Sequence, residues 1–231
     1  MRPFAILLGV LTAVGLLVLG IAGLGTSERE PGRGPVARGT PATPAPAVPA
    51  EADPAAWAAD RADAVGIPER VLAAYAAAEL AQRTATPGCN LSWATLAGIG
   101  RIESDHARIH GSSLVDGVAQ PAIVGIPLDG SSGTREIADT DGGTLDGDPT
   151  YDRAVGPMQF LPQTWERFGR GDPQDIDAAA RAAAAYLCTA DRDVADGAGW
   201  WDGVLAYNRS VAYAQRVWAA ADRYASAASP A

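Results

Sequence analysis

Glu103 is the side chain best placed for acid–base chemistry. Five glutamates fall between residues 61 and 226: Glu69, Glu79, Glu103, Glu136 and Glu166. Glu69 sits in a first helical turn, where a negative charge meets the positive end of the helix dipole. Glu79 and Glu166 fall at helical positions that read as solvated, and Glu136 lies in a loop. Glu103 instead ends an apolar stretch, Leu96-Ala-Gly-Ile-Gly-Arg-Ile-Glu103, where the chain turns into Gly-rich sequence. A carboxyl there is expected to be partly desolvated with a raised pKa, as a general acid near neutral pH requires. Spacing alone fits a surface charge at a helix end as well.

A second group comes late in the chain: Met158-Gln159-Phe160, Tyr186, Trp200-Trp201, Tyr207-Asn208 and Tyr213. Aromatic faces beside amides suit a sugar-binding cleft, stacking on ring faces and hydrogen-bonding to acetamido groups. Each aromatic taken singly fits a core position, whereas Gln159 and Asn208, if buried, need partners. Metal chemistry is poorly supplied. His106 and His110 are four apart, but Ala107 stands where a zincin has its glutamate, and Gly111 follows at once. The run Asp139-Thr-Asp141-Gly-Gly-Thr-Leu-Asp146-Gly-Asp148 departs from the EF-hand pattern and reads as a solvated loop. No metal and no cofactor is expected. All 18 basic residues are Arg, which removes Walker loops, lysine Schiff bases and Ser-Lys pairs, and no Gly-x-Ser-x-Gly elbow occurs.

The elements that must position these residues read as helices. Pro68 opens one running to about Arg83, a second starts after Asn90 or Ser92 and ends near Glu103, and Pro162 begins a short one closed by Gly169. Asp175 or Asp177 caps Ala178 to Ala190, and Ser210 caps Val211 to about Ala225. No convincing alternating strand is present, so the fold reads as all-α. The exception is Gly111 to Thr150, 40 residues with 8 Gly and 6 Asp. A loop that long inside a domain is functional or disordered. Its apolar segment Pro121-Ala-Ile-Val-Gly-Ile-Pro127 argues for order, with a short hairpin. Cys89 and Cys188 read as one disulfide in an exported chain, closing about 100 residues, worth up to about 4.7 kcal/mol in the chain-entropy model.

The chain divides into residues 1–25, 26–60 and 61–226. Phe4 to Leu24 holds 21 uncharged residues, roughly 30 Å as a helix, and is expected to be a membrane anchor rather than a cleaved signal. Residues 26–60 are rich in Pro and Ala and read as an extended spacer without the apolar residues to bury anything. The remaining domain lies outside the cytoplasmic membrane on this reading. With 49 Ala and 6 Trp among 231 residues, helices should pack closely around aromatic anchors. A net charge of -9 excludes nucleic-acid binding through a basic face.

Three ordered segments carry a family likeness. Ile99-Gly-Arg-Ile-Glu-Ser-Asp105, Ala154-Val-Gly-Pro-Met-Gln-Phe-Leu-Pro-Gln-Thr-Trp165 and Leu205-Ala-Tyr-Asn-Arg-Ser210 resemble the signature segments of lytic murein transglycosylases, membrane-bound B-type branch. The resemblance covers about Ile67 to Tyr224 and implies a lysozyme-like fold in the cell envelope. It implies a monomer acting on peptidoglycan glycan strands, cutting between N-acetylmuramic acid and N-acetylglucosamine without water and leaving 1,6-anhydromuramoyl ends. Glu103 matches the family's catalytic acid. Met158, Gln159, Phe160, Tyr207 and Asn208 match cleft-lining segments, and Tyr186 and Tyr213 match aromatic cleft positions. The family's calcium loop is reduced here to Gly169-Arg-Gly-Asp-Pro-Gln-Asp175, so no metal is carried over. A hydrolytic muramidase and a silent peptidoglycan-binding protein remain the alternatives.

Overall fold

The computed structural model describes residues 35–131 and 133–229. The expected anchor, residues 1–25, and the first part of the expected spacer lie outside them. Among the described residues, no helix is long and apolar enough to cross a membrane. The fold is helix-rich: α1 (Pro54–Ala59), α2 (Ala62–Val65), α3 (Glu69–Ala85), α4 (Trp93–Ser104), α5 (Pro162–Phe168), α6 (Ile176–Leu187), α7 (Gly197–Tyr207) and α8 (Val211–Ala228). One antiparallel hairpin, β1 (Ser113–Val115) with β2 (Val118–Gln120), pairs Leu114 with Ala119.

Side-chain caps set most helix starts. Ser92 accepts from Ala94 N, Asp175 from Asp177 N and Ala178 N, Asp196 from Gly199 N, and Ser210 from Tyr213 N. Helix α4 is the apolar centre, with Trp93, Leu96 and Ile99 fully buried. It lies along α8 and against α3, and two glycines permit that approach. A Cβ on Gly98 would come within 2.8 Å of the Val217 carbonyl, and one on Gly100 would run into the Tyr75 hydroxyl. The Cys89–Cys188 disulfide, Cα atoms 5.5 Å apart, ties the turn before α4 to the end of α6. Helix α6 stops at Leu187, short of Ala190, because Ala190 and Asp191 take left-handed φ of 59° and 51°.

Two expectations are corrected. The described part of the spacer is not free chain. Residues 36–52 form a strap laid across α3, α4, α7 and α8, with Val48 fully buried. Three indole N–H groups donate to its carbonyls: Trp93 to Pro46 at 3.0 Å, Trp201 to Thr40 at 3.0 Å and Trp218 to Pro41 at 3.1 Å. A Pro/Ala-rich segment cannot make a core, but its unpaired carbonyls suit donors already placed on helices. Glu79 is not solvated either. It is 3% exposed, and its carboxyl accepts Val48 N at 3.0 Å and Trp93 N at 2.7 Å, joining the strap to the start of α4. The long loop is ordered where described. Leu128, Ala154 and Leu161 give it a small core of its own, and Ala138 pairs with Tyr151.

Candidate active site

The last turn of α4 delivers Glu103 into a buried position, 7% exposed. Its Oε1 accepts a hydrogen bond from the Tyr213 hydroxyl at 2.6 Å. Burial pushes its pKa up to about 8, against the opposing pull of the Tyr213 hydrogen bond and the Arg216 guanidinium. The carboxyl is therefore protonated at neutral pH, which equips it to donate a proton.

The backbone beyond Glu103 is held under strain. Asp105, His106 and Ala107 have φ of 48°, 59° and 63°, three consecutive non-glycine residues in the left-handed region. Each costs of order 1–2 kcal/mol and persists only if the surroundings over-determine it. They do. His106 N–H donates to Gly100 O at 3.0 Å, Ala107 N–H to Ser104 Oγ at 2.8 Å, and the Ser104 hydroxyl to Pro157 O at 2.7 Å. The buried His106 ring lies between the Tyr75 hydroxyl, 3.2 Å from Nδ1, and the Tyr224 hydroxyl, 2.8 Å from Nε2. Burial, reinforced by nearby arginines, lowers its pKa to about 3, so the ring is neutral. Both its nitrogens are engaged by tyrosines, not offered to a metal with His110.

The other predicted site residues gather beside Glu103, though mostly beneath the surface. Val155 and Phe160 exchange backbone hydrogen bonds at 2.8 and 2.9 Å, closing a turn in which Gln159 has φ of 50°. The Gln159 amide donates to Gly156 O at 3.0 Å, so it folds its own turn. Met158 is fully buried, and its carbonyl accepts the Tyr207 hydroxyl at 2.7 Å. Phe160 meets Trp165 and Tyr207 edge-on at 5.5 and 5.6 Å. Tyr186 alone of the group is half-exposed, with its hydroxyl on Ala206 O at 2.8 Å. Asn208 is fully buried; its Oδ1 accepts Ser210 N at 3.0 Å, while its Nδ2 has no partner among the described residues. Tyr213 belongs to Glu103 itself. Trp200 and Trp201 are core residues, the former donating to Thr95 Oγ1 at 3.1 Å.

His106 is read from sequence only as half of a poor metal pair, and nothing there marks Tyr75, Ser104 or Tyr224; only the nearness of Ser104 and His106 to Glu103 in sequence hints at their role. A cavity of about 290 Å³ lies at the other end of α4, lined by the strap, Glu79 and Arg83, and does not include Glu103. In the long loop, carboxylate oxygens of Asp139, Asp141 and Asp152 come within 4.8 Å of one another. Asp152 is fully buried and accepts both Thr140 N and Thr140 Oγ1, and Asp139 accepts three backbone N–H groups of its own loop. These carboxylates fold the loop. Comparison with family models, curated proteins and solved structures finds no match for this chain.

Proposed function

We propose that the chain is a lytic transglycosylase of lysozyme-like fold, cleaving the β-1,4 bond between N-acetylmuramic acid and N-acetylglucosamine of peptidoglycan. One observation carries the reading: a buried carboxyl at a helix end, protonated at neutral pH and aimed by a tyrosine hydroxyl. Glu79, also buried, does not compete, because both its oxygens are committed to backbone N–H groups. The charge that bears on Glu103 is a guanidinium, not a second carboxylate. A single-carboxyl mechanism accommodates that arrangement, whereas most glycosidases use two.

On this reading Glu103 gives its proton to the glycosidic oxygen as the bond to the muramoyl C1 breaks. The substrate's acetamido oxygen closes on C1 as internal nucleophile. The Glu103 carboxylate then takes the proton of the 6-hydroxyl, whose oxygen attacks C1 and displaces the acetamido oxygen, forming the 1,6-anhydro ring and restoring both the acetamido group and the acid. On this reading the buried Nδ2 of Asn208, without a partner among the described residues, is the amide that would donate to a substrate oxygen.

The test is mass spectrometry of muropeptides released from purified peptidoglycan. Anhydro ends are expected from the wild type. Glu103→Gln should lose about 10²–10⁴-fold in rate while keeping its fold. Reducing ends would make the protein a hydrolase, absence of cleavage a binding protein, and a variant with more than about a tenth of the activity would acquit Glu103.

A further inference from the structure

Helix α8 holds the end of α4 at two points. Tyr213 meets Glu103 itself at 2.6 Å, and further along the same helix the Tyr224 hydroxyl stands 2.8 Å from Nε2 of His106. Helix α3 supplies a third contact, the Tyr75 hydroxyl 3.2 Å from Nδ1. Both phenol rings are tilted against the imidazole, with centroids 5.9 and 5.6 Å away, so the ring is gripped by its polar edges. Among the described residues, His106 makes the hydrogen bonds that tie the left-handed turn to α3 and α8.

The protons of this row can be placed. Tyr75 is fully buried, burial keeps its phenol protonated, and His106 is its hydrogen-bond partner among the described residues. Its proton goes to Nδ1, since a buried hydroxyl proton without an acceptor is costly. A neutral imidazole then carries its own proton on Nε2 and donates it to the Tyr224 oxygen. The Arg223 guanidinium donates to the same oxygen at 3.0 Å, filling its second lone pair. An aliphatic side chain in place of His106 would leave the buried Tyr75 proton without its acceptor.

We infer that His106 is a positioning residue for the acid: as the neutral Nε2–H tautomer it pins the turn to Tyr75 and Tyr224, and so fixes the last turn of α4 where the Glu103 carboxyl meets Tyr213. The inference rests on the role proposed above for Glu103. The groups whose charge or hydrogen bond bears on Glu103 are Tyr213 and Arg216 of α8 and Tyr207 of α7. Around His106 they are Tyr75 of α3, Tyr224 and Arg223 of α8, Arg101 of α4 and Arg108 just beyond the turn. The two sets share no member. His106 can therefore move the Glu103 titration only by moving the carboxyl relative to its own partners.

Titrations of the purified full-length protein test this. Carbon NMR of labelled glutamate follows the Glu103 carboxyl with pH, and nitrogen NMR of the His106 ring reads its tautomer. Nε2–H is expected; Nδ1–H, or a ring protonated at neutral pH, would overturn the inference. Tyr224→Phe removes a single hydroxyl and spares the packing, so a folded variant is available. It and His106→Leu should raise the Glu103 midpoint by up to about one pH unit, as the hydrogen bond to Tyr213 slackens. His106→Gln, whose amide both accepts and donates, should restore most of that shift. Added to Tyr213→Phe, Tyr224→Phe should move the midpoint no further, because the bond it acts through is already gone. On purified peptidoglycan, Tyr224→Phe should lower kcat about three- to tenfold and leave KM unchanged. A lowered Tm with an unmoved Glu103 midpoint, or additive shifts in the double variant, would reduce His106 to packing and overturn the inference. The titrations use no substrate. Midpoints that move as expected in a protein that cuts no glycan would overturn the cleavage reading and keep the positioning.

Discussion

At the scale of the residue, the chemistry turns on one proton. Glu103 with a pKa of about 8 is an acid at neutral pH, so turnover should be lost as pH rises through that value. The limb of the pH–rate profile that reports Glu103 is thus the basic one; an acidic limb, natural for an ordinary carboxylate, is not expected from it. Tyr213→Phe tests the assignment. The Tyr213 hydroxyl hydrogen-bonds the charged form and pulls the pKa down, so its removal should move the basic limb upward while slowing turnover. An unmoved limb would show that another group titrates. Stability carries the same sign. Between the ordinary value of 4.5 and about 8 the folded protein keeps a proton the unfolded chain has released. Stability therefore falls as pH rises through that window, and Glu103→Gln should flatten this slope in thermal melts.

At the scale of the element, close approach decides what the helices can carry. A methyl at Gly100 would strike the Tyr75 hydroxyl, which steadies His106 and, through it, the turn after Glu103. Gly100→Ala is expected to cost about 1–3 kcal/mol, read as a lowered Tm. It should also slow cleavage, because it loosens the turn that holds the acid. An unchanged Tm would mean that Tyr75 yields without consequence. Glycine also explains what sequence reading missed. Helices α3, α4, α5, α6 and α8 are legible from caps and apolar spacing, and Glu103 from the end of one of them. Helix α7 is not, since Gly197, Gly199 and Gly203 lower its helix propensity. For two of them the reason is contact, not freedom: a Cβ on Gly197 would strike the Gly39 carbonyl, and one on Gly199 the Asp193 carbonyl. For Gly197 the reason sits on a partner distant in the chain, where local pattern cannot show it. Gln159 and Asn208 are legible as amides needing partners, but not that Gln159 finds its own within its turn.

At the scale of the whole molecule, the strap makes the domain larger than its helices. Glu79 reads as a surface charge because residues 46–48, which cover it, lie 31 positions away from it at Val48. Val48 is fully buried, worth about 1.5–3 kcal/mol, and removal of the strap would leave the Glu79 carboxyl with one backbone donor instead of two. Burial pushes the Glu79 pKa up, and its backbone hydrogen bonds oppose that push. The three indole bonds return less, since their N–H groups would regain water. Trimming the chain at Asp53, compared with trimming before Arg38, should therefore lower Tm by about 5–10 °C. Val48→Asp in the intact chain should do nearly as much, because it places an unpaired charge where the strap seals the core. Neither change touches Glu103, which lies about 15 Å away along α4. The residual folded protein at low temperature should thus cleave at close to the normal rate. Equal melting of the two trimmed chains would show that the strap merely rests on the domain. Loss of cleavage without loss of Tm would show that it reaches the site by a route these contacts do not contain.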